Sequence, residues 1–167
     1  ELDGVFFDDE YTSYWDYPGL TSPSRERAAR LCYETKMAMP DKMVTCYIYS
    51  RTYGFYKKIE GMEPGDFVDY AISDYGSWDY EDCYLGMERN QVAPCSANFA
   101  SSYARWTATQ NNLQRVRNEG FGGFMVYCLT FHVADVWNRE MESLRNIAQY
   151  LYDDTLVFTG EKPETTW

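Results

Sequence analysis

Apolar runs of strand length alternate along the chain with segments whose apolar residues recur at helical spacing, the pattern of a parallel β/α protein. Leu2 to Phe7 is the first expected strand, and Lys42 to Ser50, rich in β-branched and aromatic residues, is the second. Phe67 to Ser73, Gln91 to Phe99 and Phe121 to Leu129 follow, with Thr155 to Thr159 as a short terminal strand or extension. Three helices are expected between them. Arg25 to Met37 opens at Ser22-Pro23-Ser24, Ala104 to Glu119 closes at Gly120, and Asp135 to Tyr152 is long and amphipathic.

No Gly-x-Gly-x-x-Gly follows a strand and no Gly-x-x-x-x-Gly-Lys-Ser/Thr occurs, so a nucleotide-binding doubly wound sheet lacks its usual support. Near-continuous apolar strands suit a barrel, whose strands are covered on both faces. A complete (β/α)8 barrel takes ~250 residues, or ~200 at the low end. This chain has 167. It holds about five of the eight strands a TIM barrel needs. The expected fold class is therefore α/β, the C-terminal part, about strands 4 to 8, of a (β/α)8 TIM barrel. Residues 1–167 then form one portion of a single domain, with the N-terminal β/α units absent from the chain. A compact five-stranded α/β domain is the alternative.

Composition narrows the partners. A formal charge of −11 argues against nucleic acid, which needs cationic patches. No run approaches the ~18 apolar residues of a membrane span. The start, Glu-Leu-Asp-Gly, has no basic or apolar leader, so any targeting segment is expected to have been removed or never included. Aromatic residues make up 18%, with 16 Tyr and 5 Trp, many beside Asp, Gly and Ser; such flat rings with polar tips suit sugars, though half-buried strands use them equally. The five cysteines lack Cys-x-x-Cys spacing, so no disulfide framework or zinc site is indicated. His132 is the only histidine, and no Gly-x-Ser-x-Gly elbow supports a Ser-His-Asp triad.

The candidate chemistry lies at the end of the first strand. Alternate strand residues share a face, so Asp8 and Glu10 point one way and Asp9 the other. Barrel enzymes carry their chemistry at this C-terminal end of the strands. The run Asp3-Gly4-Val5-Phe6-Phe7-Asp8-Asp9-Glu10 resembles the Asp-Gly-x-Asp-x-Asp-x-Glu motif of glycoside hydrolase family 18, and Tyr11 makes it most similar to the endo-β-N-acetylglucosaminidase branch. Val68 to Gly76 resembles that branch's sixth strand and loop. Gly120 to Leu129, with the helix ending Ala148-Gln149-Tyr150-Leu151-Tyr152, resembles its eighth strand and last helix.

The resemblance implies retaining, substrate-assisted hydrolysis of the GlcNAc-β1,4-GlcNAc core of N-linked glycans, with the sugar's own acetamido oxygen as nucleophile. It implies Glu10 as the general acid and base, Asp8 as its neighbour and stabiliser, and Tyr70 as hydroxyl donor to the acetamido carbonyl. Tyr11, Asp74, Tyr75, Trp78 and Tyr127 are the implied substrate-binding residues. No cofactor or metal is implied. The implied partners are an N-linked or other GlcNAc-containing glycan and the missing N-terminal half of the barrel, and the implied location is secreted or at a bacterial cell surface. Two departures stand out: Phe6 occupies the place of the motif's middle Asp, and Cys128 and Thr130 occupy places where the branch has Asn and Asp. A chitinase-type activity on GlcNAc polymers and a non-catalytic glycan-binding protein are the competing readings.

Overall fold

A computed structural model of the chain describes residues 2–8, 26–48, 55–73, 78, 84–99, 108–128, 134–158 and 160. Within these, β1 (Gly4–Asp8), β2 (Met43–Ile48), β3 (Tyr70–Ser73) and β4 (Val92–Ala93) form a four-stranded parallel sheet in that order. A parallel pair of β5 (Ser96–Asn98) and β6 (Met125–Tyr127) continues the chain's progression. The helices are α1 (Glu26–Ala38), the single turn α2 (Pro64–Phe67), α3 (Gln110–Glu119) and α4 (Ala134–Asn146), the last continuing as a π turn over Ile147–Leu151. Sheet neighbours follow sequence order without the reversal that marks a doubly wound sheet.

Several boundaries differ from the sequence pattern for identifiable reasons. Phe67 does not begin the third strand; it ends α2. Pro64 sits in the first turn, where its missing N–H costs nothing, and the Glu63 N–H donates to the Asp66 carboxylate at 2.8 Å. The expected fourth strand is cut at Pro94 and Cys95 into β4 and β5, each paired with a different neighbour. Residues 155–158 form no strand: Asp153 turns the chain out of the helix in a left-handed conformation (φ 58°), and the segment runs exposed. Helix α3 starts at Gln110, because the Thr109 hydroxyl accepts the Asn112 N–H and so caps it there. It closes at Gly120 (φ 76°), as the sequence pattern predicts.

Strand alternation separates two faces. Phe7, Val44, Cys46, Ala71 and Val92 pack with Ala29 and Cys32 of α1 and Leu113 and Val116 of α3 into the main core. Ala97, Phe99 and Val126 meet Leu144 and Ile147 in a second cluster on the same, helix-covered side. Among the described residues no α-helix lies between β3 and β4. Tyr84 and Met87 from that connection fill the core instead, and the half-buried Trp78 packs against it. The other face gathers Tyr47, Ile72 and Ala93 with Tyr70 and Met125. We refer to it as the inner face.

The sheet is held in register partly by Asp69. Its carboxylate accepts from Lys36 Nζ at 2.9 Å and from the Val44 N–H at 2.7 Å, and its own N–H donates to the Val44 carbonyl. A charge-assisted pair that also bonds two backbone strands fixes where β3 begins. Cys32, Cys46 and Cys95 are buried, as expected of small core residues, but Cys128 is exposed with a left-handed backbone (φ 55°) just after β6. No helix among the described residues is long and apolar enough to cross a membrane.

Candidate active site

Asp8 is the last residue of β1, and the β1–β2–β3–β4 register aligns it with Tyr47, Ile72 and Ala93. Phe7 packs into the helix-side core, so alternation puts Asp8 on the inner face, where it is exposed. An acidic side chain thus stands at the C-terminal end of a parallel strand beside an apolar wall. Phe6, in place of the motif's middle Asp, lies one layer below on the same face and is 44% exposed. Glu10, Tyr11, Asp74 and Tyr75 lie outside the described residues.

Tyr70 is not brought to Asp8. It opens β3, paired with Thr45, two residues before Ile72. At ~3.3 Å per residue it therefore sits about 7 Å below the level of Asp8. Its ring runs beneath β6: a side chain on Gly122 would strike the Tyr70 ring and the Asn90 carbonyl, and one on Gly123 would strike the Tyr70 hydroxyl. Burial, with the Tyr152 phenol nearby, pushes the Tyr70 hydroxyl up to about 12. This is the position of a floor residue. In the unfolded chain the same phenol ionises near 10, so the stability it contributes is complete below pH 10 and is lost as pH rises toward 12. Tyr70→Phe is accordingly expected to keep kcat within about threefold and to flatten the alkaline loss of stability in urea titrations. A drop in kcat of about a hundredfold would return Tyr70 to the reaction centre.

Trp78 is also away from the strand ends. Its indole meets the Phe121 ring edge-on at 5.7 Å and carries the Arg115 guanidinium at 4.0 Å from its centroid. Phe121 precedes β6 and Arg115 belongs to α3, so Trp78 packs on the helix side and not on the face that carries Asp8. A solvent-facing role in sugar binding does not fit that clamp. Tyr127 does fit. It ends β6 opposite Asn98, and its face is that of Met125, a member of the inner cluster.

Sequence reasoning missed two inner-face residues. Tyr47, register partner of Asp8, is buried against Ile72 and Ala93, and alternation along β2 against Val44 and Cys46 would have found it. Asn98 would not have been found, because the break at Pro94 and Cys95 shifts the alternation after β4.

No family model matches the chain. Endo-β-N-acetylglucosaminidase F1 of Elizabethkingia meningoseptica is 40% identical over 169 aligned positions, which take in 99% of this chain and 49% of the relative. The fold matches the crystal structure of Bacteroides thetaiotamicron EndoBT-3987 in complex with Man9GlcNAc2Asn substrate, with a TM-score of 0.72 and 27% identity, over 99% of this chain and 40% of that one. Sequence and fold both resemble endo-β-N-acetylglucosaminidases. The chain spans about half the length of the curated relative it matches.

Proposed function

We propose that this chain is the C-terminal portion of the catalytic (β/α)8 barrel of a glycoside hydrolase family 18 endo-β-N-acetylglucosaminidase. The whole enzyme, completed by N-terminal β/α units, cuts the GlcNAc-β1,4-GlcNAc core of N-linked glycans. The observation that carries the reading is Asp8 exposed on the inner face at the C-terminal end of β1, in a chain 40% identical throughout to a relative of that name. Sequential parallel strand order supports the barrel. Because N-glycans are displayed on secreted and surface proteins, the enzyme works outside a bacterial cell or on its surface.

Chemistry follows from two carboxyl groups and the substrate's own amide. Glu10 protonates the leaving glycosidic oxygen while the acetamido oxygen attacks the anomeric carbon, giving an oxazolinium ion with retention after water opens it. That cycle needs an acid protonated near neutral pH, and a neighbouring carboxylate raises its pKa. Asp8 supplies that neighbour and also orients the acetamido N–H, stabilising positive charge as it develops. Asp74, Tyr75, Tyr11 and Tyr127 are the proposed sugar contacts. Trp78 and Tyr70 act instead as packing residues.

The test is a paired assay of the full-length protein on a high-mannose glycoprotein and on linear GlcNAc oligomers. The proposal expects the glycoprotein to lose its glycan and the oligomers to be poor substrates. Efficient turnover of the oligomers with an intact glycoprotein would make the enzyme a chitinase. Binding of either without turnover would make it a lectin-like scaffold.

A further inference from the structure

We propose that a one-residue slip at Pro94 and Cys95 turns Asn98 into the barrel mouth, where its amide binds hydroxyl or acetamido groups of the glycan. The inference rests on the endoglycosidase reading and adds a binding residue to it.

The slip is visible in which face each residue joins. Val92 packs in the helix-side core and Ala93 in the inner cluster. Straight alternation would then send Cys95 and Ala97 inward and leave Ser96 and Asn98 facing the helices. The opposite is observed. Ala97 and Phe99 pack against Val126, Leu144 and Ile147 on the helix side, and Ser96 pairs with Met125 of the inner cluster. Asn98, two residues on, shares the face of Ser96 and aligns with Tyr127.

Pro94 suits the break, because it has no N–H to give a ladder. Pairing is transferred there from one neighbour to the other: Ala93 still aligns with Ile72, while the Cys95 carbonyl accepts the Met125 N–H at 3.1 Å. Bulges of this kind occur at barrel rims, where they re-aim a side chain.

The result is a polar stripe in an apolar wall. The side chains of Ile72, Ala93 and Met125 are apolar, whereas those of Ser96, Asn98 and Tyr127 carry hydrogen-bonding groups. Ser96 Oγ is wholly buried and has no hydrogen-bond partner among the described residues, which marks the stripe as more than packing. Asn98 and Tyr127 are only half-buried and stand at the C-terminal ends of their strands, as Asp8 does at the end of β1. A neutral amide both donates and accepts, so it recognises uncharged sugar groups and leaves the charge of the carboxyl pair undisturbed.

The experiment uses full-length enzyme and a high-mannose glycopeptide, with Glu10→Gln as control. Asn98→Ala is expected to raise KM about tenfold with kcat within about twofold, and to weaken glycopeptide binding about tenfold in the Glu10→Gln background. Ala97→Ser, on the helix side, is expected to lower Tm with kcat/KM unchanged. The reverse pattern, with Ala97→Ser impairing binding and Asn98→Ala only lowering Tm, is what an unslipped strand gives, and it overturns the inference. So does an Asn98→Ala enzyme with wild-type KM. If the wild type itself leaves the glycopeptide uncut, the endoglycosidase reading fails, and that outcome is distinct from a loss confined to Asn98→Ala.

Discussion

Glu10→Gln in the full-length protein is expected to abolish most turnover, with kcat on a high-mannose glycopeptide falling by about a thousandfold, within the range spanned by general acid catalysis. The amide matches the carboxyl in size and shape but has no proton of suitable acidity for the glycosidic oxygen. Ground-state contacts are retained, so glycopeptide affinity changes by less than about threefold. The leaving group sets the size of the effect. A substrate with an activated aryl leaving group needs little protonation, and its rate falls by only about tenfold or less. Equal losses on both substrates would mean that the substitution had damaged the pocket and not the acid.

Asp8→Asn is expected to have the second large effect, about a hundredfold in kcat, the usual consequence of removing one electrostatic stabiliser of a developing charge. Its inner-face position at the end of β1 is the structural basis. The like-charge argument also gives a direction in pH. With the proposed roles, removing the Asp8 carboxylate is expected to move the alkaline limb of the kcat profile to lower pH, because a neighbouring like charge no longer holds the proton on the acid. A variant that loses rate with an unmoved limb would leave Asp8 as a substrate-orienting group without influence on the acid. In either variant an unchanged urea midpoint separates the chemistry from a folding defect. Asp8 is exposed, and its substitution touches no core contact.

The large elements and the reaction end of the sheet were legible because they depend on short-range patterns. The apolar run to Phe7 followed by Asp8 fixes both a strand and, by alternation, the face of Asp8, and Gly120 marks a helix end by its backbone freedom. Layer height was not legible. Tyr70 and Asp8 sit on neighbouring parts of one face, but only the strand register shows that a full layer separates them. Trp78, in a run of Asp, Tyr, Gly and Ser, reads as solvated; Arg115 and Phe121, distant in sequence, hold it half-buried against the core. Asn98 was hidden by Pro94, since reading alternation straight through a proline at a slip assigns every later side chain to the wrong face.

The central claim is tested most directly by the mass of the products when the full-length protein acts on a Man9GlcNAc2-Asn glycopeptide. The predicted products are a peptide that keeps one GlcNAc on its asparagine and a released glycan that ends in the other. A peptide whose asparagine has become aspartate, or one that retains both GlcNAc residues, would contradict it.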